Sequence, residues 1–562
     1  MLIGKKHSKL LVNRYREIAS TLVKYGLGWL AQELNLGRLI PFHHGLLGRF
    51  KKTEAYTQPE RARMTLEDLG VTFIKLGQML STRPDLLPPE YIEQFSKLRD
   101  SVAPFPYEEV SRVIRQELGS PPEELFKSFD IKPVASASIG QVHKAVLKDG
   151  TNVAVKIQRP GIDALVERDI EVLSTLARFA SRRIEFAADY NIDGWVDEFA
   201  FTLRNELDYR REGQNADRIK RNFGDDPAIH VPEIFWGYTS GKVLTMEEVS
   251  GIKINDNESL TRAGLDCGKV VRNYTHILIT MAIEHGFFHA DPHPGNFFVL
   301  PNEVIAVVDY GMVGRLDEDL RLSIIRMYMA MTHRDSEQLM DELLALGVVR
   351  KVPRKDVFKR DIGHFIDLFY DKPLEEIELG KIFGEFFALA RRHKLQLPTD
   401  LILYFKVIAI YEGVSNKLDP DFNLIEFAEP YFKNFWLKSR SVRRQAKRIR
   451  EASQEMMELG FEVPRYARRM FKQLERGEFT FTSRIEGLEE TLAGLQNAAD
   501  RISKSVLAAA LLVCAGLLML IYQPPGWERI KERLFVVLFV IAVVFTLVLL
   551  FSIWRAGRFR RR

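Results

Sequence analysis

Apolar positions recur every three or four residues near the start of the chain, the spacing of one helix face. Leu11, Tyr15, Ile18, Leu22, Tyr25 and Trp29 form such a stripe within 8–35. Leu66, Leu69, Phe73, Leu76 and Leu80 form another, which Pro84 limits. After Pro133 the pattern changes to short runs of small and β-branched residues, among them 153–155 and 305–308, which predict strands. A long helical stretch is predicted over 195–220, and Met246-Glu247-Glu248-Val249 reads as the link from this strand-rich part to a helical one. A helix over about 269–285 follows, and mostly helical patterns run on to Leu437. Farther on, 506–522 and 534–554 contain no charged residue. A spanning helix needs about 20 apolar residues, and roughly 17 at the least, so the two runs predict a transmembrane hairpin.

Composition narrows this picture. The 562 residues exceed what one core accommodates, and a formal net charge of +5 is too modest to imply a nucleic-acid partner. Only Cys267 and Cys514 occur, far apart, so no disulfide framework or cysteine metal site is expected. The N-terminus lacks the pattern of a secretory signal. Charge matters locally. Lys5, Lys6, Lys9, Arg14 and Arg16 accompany the first stripe, which either packs on the body of the protein or rests on an anionic membrane surface. Seven Lys or Arg and no acid lie in 438–450, a cluster suited to anionic lipid headgroups, with a nucleic-acid patch or a solvated helix face as alternatives. A charged helical connector occupies 451–504. Basic residues before the hairpin, and five Arg after Trp554, place both ends on the cytoplasmic side of an inner membrane.

The candidate chemistry is concentrated in Phe288-His289-Ala290-Asp291-Pro292-His293-Pro294-Gly295-Asn296 and in Val307-Val308-Asp309-Tyr310-Gly311. The order and approximate spacing of Asp291, Asn296 and Asp309 are those of a kinase catalytic loop followed by its D-F-G segment. Phosphoryl transfer requires a carboxylate near the attacking oxygen, here Asp291, and oxygen ligands for Mg²⁺, here Asn296 and Asp309. Ala135-Ser136-Ala137-Ser138-Ile139-Gly140-Gln141-Val142 fits the frame of a glycine-rich phosphate loop with alanine in the first two glycine places. Val153-Ala154-Val155-Lys156 follows at the right distance to supply the phosphate-pairing lysine. An acid on a helix has to hold that lysine, and spacing alone does not choose among Glu206, Asp208 and Glu212. Lys75 and Gln78 share a helix face, with Gly77 allowing close approach, but periodicity alone assigns them no role. No Ser, Thr or Tyr follows Tyr310 until Ser323, and no A-P-E motif occurs, so switching by loop phosphorylation is not expected.

Together these motifs resemble the UbiB family of atypical kinases (ADCK-like proteins), over about residues 60–440. The resemblance rests on Lys75-Leu76-Gly77-Gln78, the alanine loop, Glu206 and Asp208 with Asn215, and the stretch from His289 to Asn296; the C-terminal hairpin looks like the bacterial branch. It implies an α+β, bilobal kinase-like fold with added N-terminal helices. The implied divisions are an amphipathic segment over 1–58, a helical extension over 59–127, a small lobe over 128–248 and a large lobe over 249–437. A connector over 438–504, the hairpin over 505–555 and a basic tail over 556–562 follow. It implies ATP and Mg²⁺ as cofactors: Lys156 on the phosphates and paired with Glu212, Asp291 at the base position, and Asn296 and Asp309 on magnesium. The loop 135–142 and the backbone at Glu248 would hold the nucleotide. Lys75 and Gln78 would cover the site with Glu206 and Asp208 as polar partners, where other kinases admit a peptide. The activity implied is that of an ATPase, or a kinase of small or lipid substrates, supporting ubiquinone biosynthesis. Membrane lipids, isoprenoid quinone precursors and other quinone-biosynthesis enzymes are the implied partners. A small-molecule phosphotransferase of the aminoglycoside or choline kinase type, and a nucleotide-gated lipid-binding scaffold, are the alternatives.

Overall fold

Residues 2–34, 36, 56–98, 102–184, 187, 191–346, 355–370 and 379–439 are described by the computed structural model, with single positions between 506 and 541. The chain divides into two compact units, Met1–Gln445 and Ala446–Arg562, and the sheets of the described residues lie in the first. No helix among the described residues is long and apolar enough to cross a membrane. The expected hairpin over 505–555, the connector and nearly all of the basic cluster lie outside the described residues.

The first stripe forms α1 (Leu2–Lys24), which buries Ile18, Ala19 and Leu22 on the protein body. Its Arg14 is buried and makes two bonds to Asp169, at 2.7 and 2.9 Å, and a third to the Leu69 carbonyl. Trp29 leaves the stripe and is exposed, because Gly26 turns the chain with φ 75° and a new short helix begins at Gly28. The second stripe is likewise two helices. α2 (Gln58–Leu69) starts at a capping box between Thr57 and Glu60, and Gly70, at φ 91°, ends it before α3 (Val71–Ser81). Gly77 lets α3 pack tightly: a Cβ there would lie 2.3 Å from the Leu98 side chain and 2.7 Å from that of Leu66.

After α4 (Tyr107–Leu118) come β1 (Ser128–Phe129), β2 (Ala135–Ser136), β3 (Gly140–Val146) and β4 (Asn152–Gln158). Then follow α5 (Ile162–Arg183), α6 (Ile192–Leu207), α7 (Tyr209–Phe223), β5 (Ile229–His230) and β6 (Val243–Glu247). The small-lobe sheet is antiparallel in the order β1-β3-β4-β6, with β2 beside β3. Alternation along β4 buries Val153, Val155 and Ile157 in one core with Val110 and Ile114 of α4, and turns Lys156 to the opposite face.

The helical stretch expected over 195–220 is broken. Asp208 has extended backbone angles and caps the next helix through the Arg210 N–H, so α6 ends and α7 starts there. The large lobe adds β7 (Ile252–Lys253), α8 (Cys267–Ile279), β8 (Phe287–His289), β9 (Phe297–Val299), β10 (Ile305–Val307) and β11 (Val313–Arg315). One sheet runs β5-β10-β9-β7, and β8 pairs with β11. Helices α9 (Glu318–Thr332), α10 (Ser336–Leu346), α11 (Lys355–Tyr370), α12 (Leu379–Arg392), α13 (Thr399–Leu418) and α14 (Leu424–Ser439) complete the lobe. The result is a kinase-like mixed fold of sheet and helix.

Candidate active site

The break at Asp208 sends the three candidate acids in different directions. Glu212, on α7, accepts from Lys156 Nζ with both carboxylate oxygens, at 3.0 and 2.8 Å. Glu206, at the end of α6, takes the Lys75 ammonium at 2.5 Å. Asp208 caps α7 and lies 3.9 Å from Arg211, so it is a partner of neither lysine. The kink resolves the choice that spacing left open. Asn215, three residues after Glu212 and on the same face, donates to the Tyr310 carbonyl at 3.0 Å. One face of α7 thus holds both the β4 lysine and the Asp309-Tyr310-Gly311 turn.

Asp309 lies 3.8 Å from Lys156 and has φ 64°, a left-handed conformation that is costly for a residue with a Cβ. Two contacts hold it there. Its Oδ1 accepts the Gly311 N–H, and its carbonyl meets Nε2 of buried His289 at 2.7 Å. Nδ1 of His289 accepts the Asp291 N–H, so the ring carries its proton on Nε2 and donates it to Asp309. Burial keeps this imidazole neutral by lowering its pKa. Tyr310 replaces phenylalanine at little cost, since its buried hydroxyl donates to the Val307 carbonyl.

Within the catalytic loop, the Asp291 carbonyl accepts both the His293 N–H and Asn296 Nδ2. His293 in turn accepts the Gly295 N–H. The amide nitrogen of Asn296 is therefore committed to the loop, and its Oδ1 is the atom that could meet a cation. The Asp291 carboxylate meets Lys406 Nζ of α13 at 3.3 Å, a neighbour that no local motif signals.

The electrostatics follow from this packing. Burial pushes Glu212 up to about 7 against the opposing pull of Lys156. Burial also disfavours the Lys156 ammonium, but Asp309 and Glu212 together hold its pKa above the ordinary lysine value. Lys156 depresses Asp309, with Lys75 adding to the positive field. No three His, Cys, Asp or Glu side chains converge as a metal cage among the described residues. Magnesium on nucleotide phosphates needs only one or two protein oxygens, which Asp309 and the free Oδ1 of Asn296 fit.

The loop 135–142 is a tight hairpin. Ala135 faces Val142, Ser136 faces Gln141, and the Ala137 N–H donates to the Gly140 carbonyl at 2.8 Å. None of these residues has a positive φ, so alanine fits at 135 and 137 without strain. Gly140 is required for space instead: a Cβ there would lie 2.4 Å from the Tyr209 hydroxyl and 2.5 Å from the Ile157 carbonyl oxygen. Ser138 and Ile139 are buried beneath the turn. Two further candidates have partners within the protein. Gln78 donates to the Leu98 carbonyl, and Glu248 gives its N–H to Asn152 and its carboxylate to Lys144.

Residues 97–343 match the model of the ABC1 atypical kinase-like domain, 362–423 the UbiB helical domain, and 486–555 the ABC1/UbiB kinase-like C-terminal domain. A probable protein kinase UbiB from Cellvibrio japonicus is 36% identical over 424 residues, covering 74% of this chain and 76% of that protein. The uncharacterized protein sll1770 from Synechocystis is 33% identical over 82% of this chain and 80% of its own length. The chloroplastic ACTIVITY OF BC1 COMPLEX KINASE 7 from Arabidopsis thaliana is 32% identical over 75% of this chain and 62% of its own. By sequence over most of its length, the chain belongs to the ABC1/UbiB family of atypical kinase-like proteins.

Proposed function

We propose that the chain is a membrane-anchored ATPase or atypical kinase that takes Mg-ATP in support of ubiquinone, or a related isoprenoid quinone, biosynthesis. The observation that carries this reading is the meeting of Lys156, Glu212 and Asp309 across the lobes, with Asp291 and Asn296 on the adjoining loop. Lys156 is held in one place by Glu212, so it meets phosphate oxygens without first being ordered. Asn296 and Asp309 present oxygens to a magnesium ion, which would neutralise phosphate charge. Asp291 is the carboxylate available to orient an attacking hydroxyl or water and receive its proton. The family's UbiB relatives are named probable protein kinases, which supports phosphoryl chemistry. The acceptor is a small or lipid molecule, or ATP hydrolysis drives the handling of a lipid intermediate for other quinone-biosynthesis enzymes.

Attachment to the inner membrane is assigned to the uncharged runs 506–522 and 534–554, which lie in the segment matched by the family's C-terminal model. The test is the quinone profile of cells lacking the gene, complemented with wild type or Asp309→Asn. Rescue by wild type alone is expected. Rescue by both would turn the reading toward a scaffold, and unchanged quinone levels without the gene would remove the quinone assignment.

A further inference from the structure

The catalytic loop from His289 to Asn296 carries no Lys or Arg, yet phosphoryl transfer concentrates negative charge beside its carboxylate. The cation comes from 115 residues farther along the chain, where Lys406 Nζ lies 3.3 Å from Asp291 Oδ1. We infer that Lys406 is a further catalytic residue: a second cationic contact for the transferring phosphoryl group, shared with Asp291 and supplied by α13. This inference rests on the phosphoryl-transfer reading above and names a residue that the motifs do not contain.

Three observations distinguish Lys406 from an ordinary surface lysine. It is the sole charged residue between Asp400 and Glu412, in a stretch that buries Leu401, Ile402, Phe405, Val407 and Tyr411. A lysine there interrupts a packing surface, and among the described residues its charge is met by Asp291. The helix is also fixed against the catalytic loop. Asp400 accepts the Arg315 N–H of β11 at 2.9 Å, and the Tyr404 ring meets Phe288 of β8 edge-on at 5.8 Å. A side chain on an element docked at these points is positioned more closely than one on a loop. Finally, the pair is open rather than buried: 28% of the Lys406 side chain and 40% of that of Asp291 remain exposed. An exposed pair of this kind contributes roughly 0–1 kcal/mol to stability, so folding alone gives little reason for it.

In the transfer, the attacking oxygen bonds to the γ-phosphorus and gives its proton to Asp291, while the bond to the β–γ bridging oxygen breaks and ADP departs. Lys406 meets the equatorial oxygens, over which the charge of the transferring phosphoryl group is spread once that group has moved toward the attacking oxygen. The contribution is therefore larger in the transition state than in the bound nucleotide.

The experiment compares the affinity of the full-length protein for Mg-ADP and for Mg-ADP with aluminium fluoride, read by displacement of a fluorescent nucleotide. Wild type should prefer the aluminium fluoride complex. Lys406→Met should lose about tenfold or more of that preference while keeping its ADP affinity within about twofold, and Lys406→Arg should restore most of it. Thermal melting checks the fold, and Lys406→Gln replaces Lys406→Met if the latter melts early. An unchanged preference in Lys406→Met, or equal weakening of both ligands, overturns the role of Lys406 alone. Failure of wild type to bind either nucleotide overturns the phosphoryl-transfer reading and this inference with it.

Discussion

The two sides of the cleft carry similar charges in opposite settings. On the small-lobe side Lys156 and Glu212 satisfy each other, and the Glu212 side chain is only 5% exposed. On the large-lobe side Asp309 is about half exposed and held in a strained backbone conformation, while Asn296 leaves an oxygen free. The first arrangement is complete without a ligand. The second stores strain and solvated charge that a cation and phosphates would neutralise. On the proposed reading, the charge of Mg-ATP would meet a finished lysine clamp on one side and unfinished oxygen donors on the other.

The largest test of this contrast removes a donor from the open side. Asp309→Asn should lower ATP turnover by about a thousandfold, the upper figure for loss of one preorganised electrostatic group. Asparagine also tolerates left-handed backbone, so the melting temperature should stay within a few degrees of wild type. A large loss of stability would mean that Asp309 belongs to the finished side instead. The complementary change, Glu212→Ala, should act on folding as well as turnover. It leaves Lys156 without its bidentate partner and should cost about 3 kcal/mol in denaturant unfolding, the low end for a broken buried pair, because Asp309 remains nearby.

How much of this was legible in the sequence depended on the range of each interaction. The loop from His289 to Asn296 and the Asp309 turn are local, and their spacing alone was enough to raise the phosphoryl-transfer reading. The assignment of Glu212 was not local. It depended on Asp208 capping α7 and bending the chain, so that Glu206 and Glu212 face different lysines. Helical periodicity continued through that break, as it did through Gly26 and Gly70, because apolar spacing reports burial rather than continuity of hydrogen bonding. Lys406 belongs to no motif, although it is the one charge in the apolar run between Asp400 and Glu412. Its partner is 115 residues away, and only the docking of α13 brings the two together. The turn of Gln78 toward Leu98 had the same cause: the motif placed it on α3, and packing decided which neighbour it met.

A smaller effect is expected where β3 crosses beneath the loop. Gly140→Ala forces a Cβ against the Ile157 carbonyl and the Tyr209 hydroxyl, and should cost about 2 kcal/mol of stability. Adding Tyr209→Phe should recover only part of this, since the backbone oxygen remains; full recovery would show that the tyrosine alone sets the limit. A pH titration separates the clamp's function from its contribution to folding. Glu212 must be ionised to hold Lys156, so turnover should fall as pH drops through about 7, at most about tenfold per unit. Stability runs the other way. The folded pKa is raised, so this group's contribution is full below its ordinary carboxylate value and is lost as pH rises through about 7. Glu212→Gln should remove both dependences, and an acid limb that persists in that variant would have to come from another group.

The smallest change probes the loop itself. Ala137 already has a negative φ, and its N–H is bonded to Gly140, so glycine is not needed there to form the turn. Ala137→Gly instead adds conformational freedom to the unfolded chain and to the loop, at a cost of about 0.5–1 kcal/mol. The Cβ at 137 also limits how closely backbone amides approach phosphate, and its removal lifts that limit. The expected result is a slightly lower melting temperature together with a change in nucleotide affinity or autophosphorylation. If melting shifts while both nucleotide affinity and autophosphorylation stay unchanged, the alanine rigidifies the hairpin and has no part in setting nucleotide geometry. If affinity changes without any shift in melting, the finished side of the cleft adjusts to its ligand after all, and the contrast with the open side is one of degree.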